Sequence, residues 1–269
     1  MLAAGAGGGA AAAQDTDRQT IQKHYTLAQE ALNQKRYDEA AEEFRKILRL
    51  NPKLAEAHAN LGSIYYLQGN YVQASDAFRE ALKWKDSLAR AEMFLGMSQT
   101  RRGVAQEALP HLAKGFWKST DDDEWRLQAG LMLVELYHGA SDLDKALDVV
   151  RALQRSYPDS QDVLYAAYRL HSDMGSRAVA SLVKSAPGSA RLHQLTAELH
   201  ESEGNYPRAI EEYRTALKIN PRLAGAHRAL GVALMNNAPD EAARAEARRL
   251  FEQELALNPI DAHSEYQLG

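Results

Sequence analysis

One spacing constrains this chain more than any other: a block of about 34 residues that recurs from end to end. It is clearest in residues 55–86, AEAHANLGSIYYLQGNYVQASDAFREALKWKD. Apolar and small residues there fall at helical spacing, first at His58, Leu61, Gly62 and Tyr65, then at Ala74, Phe78, Ala81 and Leu82. Gly69-Asn70 separates the two halves, and both residues tolerate the positive φ of a tight helix–helix turn. Small residues at Gly62, Ala74 and Ala81 let the two backbones approach, and Phe78 fills the gap. A helix pair this short cannot bury its apolar stripes alone, so the block requires neighbours.

The neighbours are present. Positions equivalent to Gly62 are Ala28, Gly96, Val134, Tyr168, Ala197, Gly231 and Gly269, and the successive spacings are 34, 34, 38, 34, 29, 34 and 38 residues. The small residue opening the second helix recurs as Ala40, Ala74, Ala108, Ala146, Ala209 and Ala247. The large residue four later recurs as Phe44, Phe78, Leu112, Val150, Tyr213 and Phe251. A closing proline recurs as Pro52, Pro158, Pro221 and Pro259, where a helix is expected to stop.

In these slots the chain resembles the tetratricopeptide repeat family over roughly residues 21–269. The resemblance implies an all-α, right-handed solenoid of about seven helix-turn-helix repeats, whose first helices line a concave face that binds peptides or partner proteins. The repeats are expected at 21–54, 55–88, 89–126, 127–160, 161–189, 190–223 and 224–261, with a partial one at 262–269. The fifth is short and degenerate, its second helix expected near Arg177 to Lys184. Pro110 falls inside a second helix, where a mild kink is expected. Ser119-Thr120 followed by Asp121, Asp122, Asp123 and Glu124 is expected to cap a helix start. Four extra residues around Asn236 to Pro239 lengthen the seventh turn. The last repeat breaks off in its first helix, an end that another segment or a second copy could complete by self-association.

Residues 1–20 are expected as a disordered Ala/Gly-rich tail, with Gln14 to Thr20 as a linker. Ala11-Ala12-Ala13 before Gln14 also fits the small-residue rule of an export-signal cleavage site, without a preceding Lys or Arg. The sequence leaves the compartment unknown: cytoplasmic, or periplasmic or secreted if residues 1–14 are a truncated export signal. The 269 residues carry 32 basic and 36 acidic side chains, a net charge of −4, which lacks the basic stripe of a nucleic-acid binder. There is no cysteine, which removes disulfides, thiolate metal sites and a cysteine nucleophile. No run reaches the roughly 20 apolar residues of a membrane span.

Nothing in the sequence assembles a catalytic centre, a metal site or a cofactor site. No glycine-rich phosphate loop, Gly-x-Ser-x-Gly or His-Glu-x-x-His is present. His24, His58, His193 and His227 share one slot in the first helices, which spreads them along the array as packing and hydrogen-bonding groups. The family's concave face maps to Tyr25, Asn60, Tyr66, Arg90, Met93, Phe94, Met97, Arg101, Leu131, Glu135, Tyr165 and Arg169. Methionines and aromatics flanked by arginines suit a peptide or helix with apolar anchors and an acidic group. Family members that clamp a terminal carboxylate use Lys and Asn, then Asn, then Lys and Arg. Here those positions hold Tyr25, Gln29, Asn60, Arg90 and Phe94, so Asn60 agrees, Arg90 agrees in charge, and the rest depart. The expected function is a non-catalytic adaptor with a protein or peptide partner. The alternative is a structural or regulatory part of a larger, envelope-associated assembly.

Overall fold

A computed structural model describes residues 7–120, 124–238 and 240–269. Among these the chain is all α, with fourteen helices and no strand. It divides into two compact units, Met1–His171 and Ser172–Gly269.

In the first unit the helices pack as hairpins: α1 (Gly7–Asn33) with α2 (Tyr37–Leu50), α3 (Ala55–Leu67) with α4 (Tyr71–Trp84), α5 (Ala89–Arg101) with α6 (Ala105–Lys118), and α7 (Glu124–Gly139) with α8 (Leu143–Ser156). Each second helix packs on the next hairpin's first helix, and α5 touches both α3 and α7. One turn design closes the hairpins. Gly69 adopts φ +77°, and the Asn70 N–H reaches back to the Tyr65 carbonyl at 2.8 Å, which satisfies an end of α3. Lys35, Gly103 and Ser141 repeat that positive φ, and Arg36, Val104 and Asp142 repeat the back-bond. The core is the predicted one: Ala40, Phe44, Ala74, Phe78, Ala81, Ala108, Leu112, Ala146 and Val150 are all buried. A Cβ on Gly62 would lie 2.9 Å from the Phe78 ring, so the close approach inferred for that slot is real.

The second unit repeats the design with α10 (Ala190–Ser202) on α11 (Tyr206–Ile219), α12 (Ala226–Asn236) on α13 (Glu241–Leu257), and α14 (Ala262–Leu268) against α13. Its core gathers Ala197, Ala209, Tyr213, Leu230, Ala247 and Phe251.

Two expectations meet a different outcome. Gln14–Thr20 is helical, because α1 begins at Gly7; an alanine-rich run without proline has no reason to stop the helix. The fifth repeat is not a hairpin. One continuous helix, α9 (Gln161–Ser185), replaces it. Tyr168 stands in the slot of Gly62, too large for a second helix to close upon, and Gly175 lies within the helix rather than in a turn. α6 continues through Pro110 to Lys118. The cap inferred over Asp121, Asp122 and Asp123 lies outside the described residues, as do residues 1–6 of the export-signal motif and Pro239 of the long turn.

Candidate functional site

The first helices of three successive hairpins meet at a cleft of about 230 Å³. α1 supplies Tyr25, α3 supplies Glu56, Asn60 and Ser63, and α5 supplies Arg90. These positions recur one repeat apart, so the stacking of hairpins brings them to one face. The Asn60 side-chain amide donates to the Tyr25 hydroxyl at 3.3 Å, which ties the first two helices across the cleft. The Lys85 ammonium donates to Glu56 at 2.7 Å and holds that carboxyl below its ordinary range. Arg90 itself is exposed and lies 5.6 Å over the Phe94 ring.

The rest of the expected groove sorts into two groups. Tyr66, Met93, Phe94 and Met97 are buried and belong to the core. Two causes act. Gly96 and Gly115 allow α5 and α6 to touch backbone to backbone, so that residues 91–99 of α5 are enclosed throughout. Trp125, from the first turn of α7, seats on Phe94 at 5.1 Å and on Tyr66 at 5.8 Å between ring centroids. Tyr71 joins Tyr66 at 5.4 Å, and Phe78 stacks on Phe94 at 5.7 Å. The aromatics read as anchors for a partner are thus satisfied within the chain. Burial pushes the Tyr66 phenol up, and the Arg101 guanidinium opposes the rise.

Beyond that cluster, Glu135 and Arg169 pair at 2.8 Å and join α7 to α9, while the Arg169 guanidinium lies 6.0 Å from the Tyr165 ring. Leu131 is half-buried on α7, and Arg101 is exposed at the end of α5. Sequence reasoning missed Trp125 and Gly115. Trp125 follows an acidic run that reads as a helix start, and Gly115 sits where a second helix normally carries an ordinary residue.

The histidine slot ties helices together rather than gathering a site. His24 Nδ1 lies 2.5 Å from Glu43 and His193 Nδ1 lies 2.6 Å from Glu212, each joining the first helix of a hairpin to the second. The third hairpin reverses the pair: buried Glu92 on α5 meets His111 of α6 at 2.7 Å and also Lys114. His58 Nε2 lies 2.9 Å from the Pro52 carbonyl. Among the described residues, no group of three or more His, Cys, Asp or Glu side chains is placed to hold a metal ion. No described helix is long and apolar enough to cross a membrane.

Hairpins of this length, stacked through a Gly slot and an aromatic, define a helical repeat protein. The chain carries repeats of the tetratricopeptide family: a model described as tetratricopeptide repeat matches residues 25–91, and one described as TPR repeat matches residues 201–237. Proteins of this family are in general scaffolds for protein interaction. The chain is similar to lipopolysaccharide assembly protein B of Escherichia coli K12, at 24% identity over 208 residues, covering 73% of this chain and 53% of that protein. The chain thus spans about half the length of the curated relatives it matches. Among solved structures it is similar to a tetratricopeptide repeat protein from Parabacteroides merdae, with a TM-score of 0.50, 16% identity, and coverage of 93% of this chain and 98% of that one. That likeness is one of fold.

Proposed function

We propose that this chain is a non-catalytic adaptor that holds a peptide or protein segment bearing an acidic side chain against the Tyr25–Asn60–Arg90 cleft. The observation that carries the proposal is the convergence of these three residues, from three successive first helices, on one cleft. Arg90 supplies the charge for a carboxylate, Asn60 and Ser63 supply hydrogen bonds, and the Tyr25 ring supplies an apolar wall. An array of peptides carrying an acidic residue beside an apolar one tests it. Native chain should bind a subset, and the double variant Asn60→Ala, Arg90→Glu should lose that subset with unchanged circular dichroism. Equal binding by both would reject the cleft as the site.

A second reading rests on the similarity to lipopolysaccharide assembly protein B. There the chain is a structural or regulatory part of a larger, envelope-associated assembly. It then fractionates with the cell envelope, and the two cleft substitutions leave that fraction unaltered.

A further inference from the structure

The seventh hairpin, within the second unit, departs from the others at one buried position. Three residues after the aromatic slot, the other second helices carry Ile47, Ala81, Gly115, Leu153 and Ala216, all buried. In α13 that slot holds Glu254, which is 1% exposed. A carboxylate is costly there unless it is paired. The array shows where it usually stands. The residue just before the aromatic is Glu43 in the first hairpin and Glu212 in the sixth, and these meet the first-helix histidines His24 and His193 at 2.5 and 2.6 Å. In the seventh hairpin that residue is Leu250, and the carboxylate lies four residues further on, about one turn deeper. His227 is left 4.0 Å from Glu254, too far for a hydrogen bond. His227 Nδ1 and Glu254 Oε2 are both buried without a hydrogen-bond partner.

A second departure lies beside the first. α3, α5, α10 and α14 begin seven residues before the Gly62 slot, whereas α12 begins five before it, at Ala226. The preceding Gly225 adopts φ +80°, and its N–H donates to Glu254 Oε1 at 2.8 Å. Glu254 thus holds the first turn of α12 unwound. Gly225 occupies the position of Glu56 and Arg90, which line the cleft of the first unit.

We propose that Glu254 is the moving part of an acid-driven switch: protonated His227 draws its carboxylate away from Gly225, and residues 224–225 then wind into α12. Closing the 4.0 Å gap to a charge-assisted hydrogen bond moves the carboxylate by about 1 Å, which takes Oε1 out of reach of the Gly225 N–H. Without that acceptor, nothing keeps Gly225 left-handed, and α12 gains the start that the other first helices use. Among the described residues, Glu254 is the charged group whose field acts on the His227 imidazole. The neighbouring groups are engaged elsewhere. Arg228 Nε lies 3.8 Å from Asp261 at the start of α14, His263 acts on that same carboxylate, and Tyr213 of α11 donates to Glu201 at 2.9 Å. Acidification therefore reshapes the first-helix face of the second unit at the level where the first unit carries Glu56 and Arg90.

An NMR titration of the full chain between pH 7 and pH 5 tests this. The Gly225 amide and the His227 imidazole should move with one shared midpoint, and the Cα shifts of Ala224 and Gly225 should turn helical below it. His227→Gln should keep the Gly225 amide at its neutral-pH position throughout. Gly225→Ala disfavours the left-handed φ and should show the wound turn at both ends of the titration. A Gly225 amide that stays fixed while His227 titrates, or that moves equally in His227→Gln, would overturn the proposal. So would unfolding of the second unit before the two signals move together.

Discussion

Gly115 and Met93 meet backbone to backbone: a Cβ on Gly115 would overlap the main-chain nitrogen of Met93. No rotamer change relieves a clash with a main chain, so Gly115→Ala forces α5 and α6 apart. Overpacking of this kind costs about 3 kcal/mol, the top of the usual range. Urea denaturation followed by circular dichroism should show that loss. Gly139→Ala, in a helix with open space at its Cβ, should be neutral or slightly stabilising. Equal stability of the Gly115 variant and the native chain would contradict the packing described.

Trp125 closes the aromatic cluster. Trp125→Ala should cost about 3 kcal/mol and expose the Tyr66 and Phe94 rings. Trp125→Phe should retain most of that stability and the near-ultraviolet dichroism of the cluster. A silent Trp125→Ala would mean that Tyr66 and Phe94 are held by their other neighbours alone.

The second unit should weaken on mild acidification. Burial holds His227 below its ordinary value of 6.5, although Glu254 opposes the shift. Between the two values the unfolded chain binds the extra proton, so stability rises with pH and falls as pH drops below about 6.5. His227→Gln should flatten this component of stability between pH 7 and pH 5. An unchanged slope would place its origin elsewhere.

The first hairpin should respond at lower pH. Burial pushes the Glu43 carboxyl up, but hydrogen bonds from Lys46 and His24 outweigh it and leave it below its ordinary value of 4.5. A depressed carboxylate stabilises the fold above its unfolded value, and that contribution disappears as pH falls through the folded one. Acid titration of the native chain and of Glu43→Gln should therefore converge in stability below pH 4.5 after differing near neutrality.

The hairpins were legible because their determinants are local and repeated. Gly69 must carry a positive φ, Gly62 must admit Phe78, and both sit in slots that recur. Of the expected groove positions, Tyr25, Asn60 and Arg90 line the candidate cleft, where a first-helix position keeps its usual surroundings. Met93 and Met97 were assigned to a surface because their register matches the concave face. Their enclosure depends on Gly115 and Trp125, which lie 22 and 32 residues away from Met93 and have no counterpart in the other repeats. Tyr168 was visible as a departure from the Gly slot, yet its consequence, an unbroken α9, is a competition between helix continuation and hairpin packing that spacing alone does not decide.

The cleft can be tested at a single position. A photoreactive benzoylphenylalanine at Ser63, inside the cleft, should cross-link to a bound acidic peptide, and the same group at exposed Gln73 on α4 should not. Arg90→Glu should abolish the Ser63 cross-link. Cross-linking from Gln73 instead, or from Ser63 regardless of Arg90, would contradict the account of the Tyr25–Asn60–Arg90 cleft as the binding site.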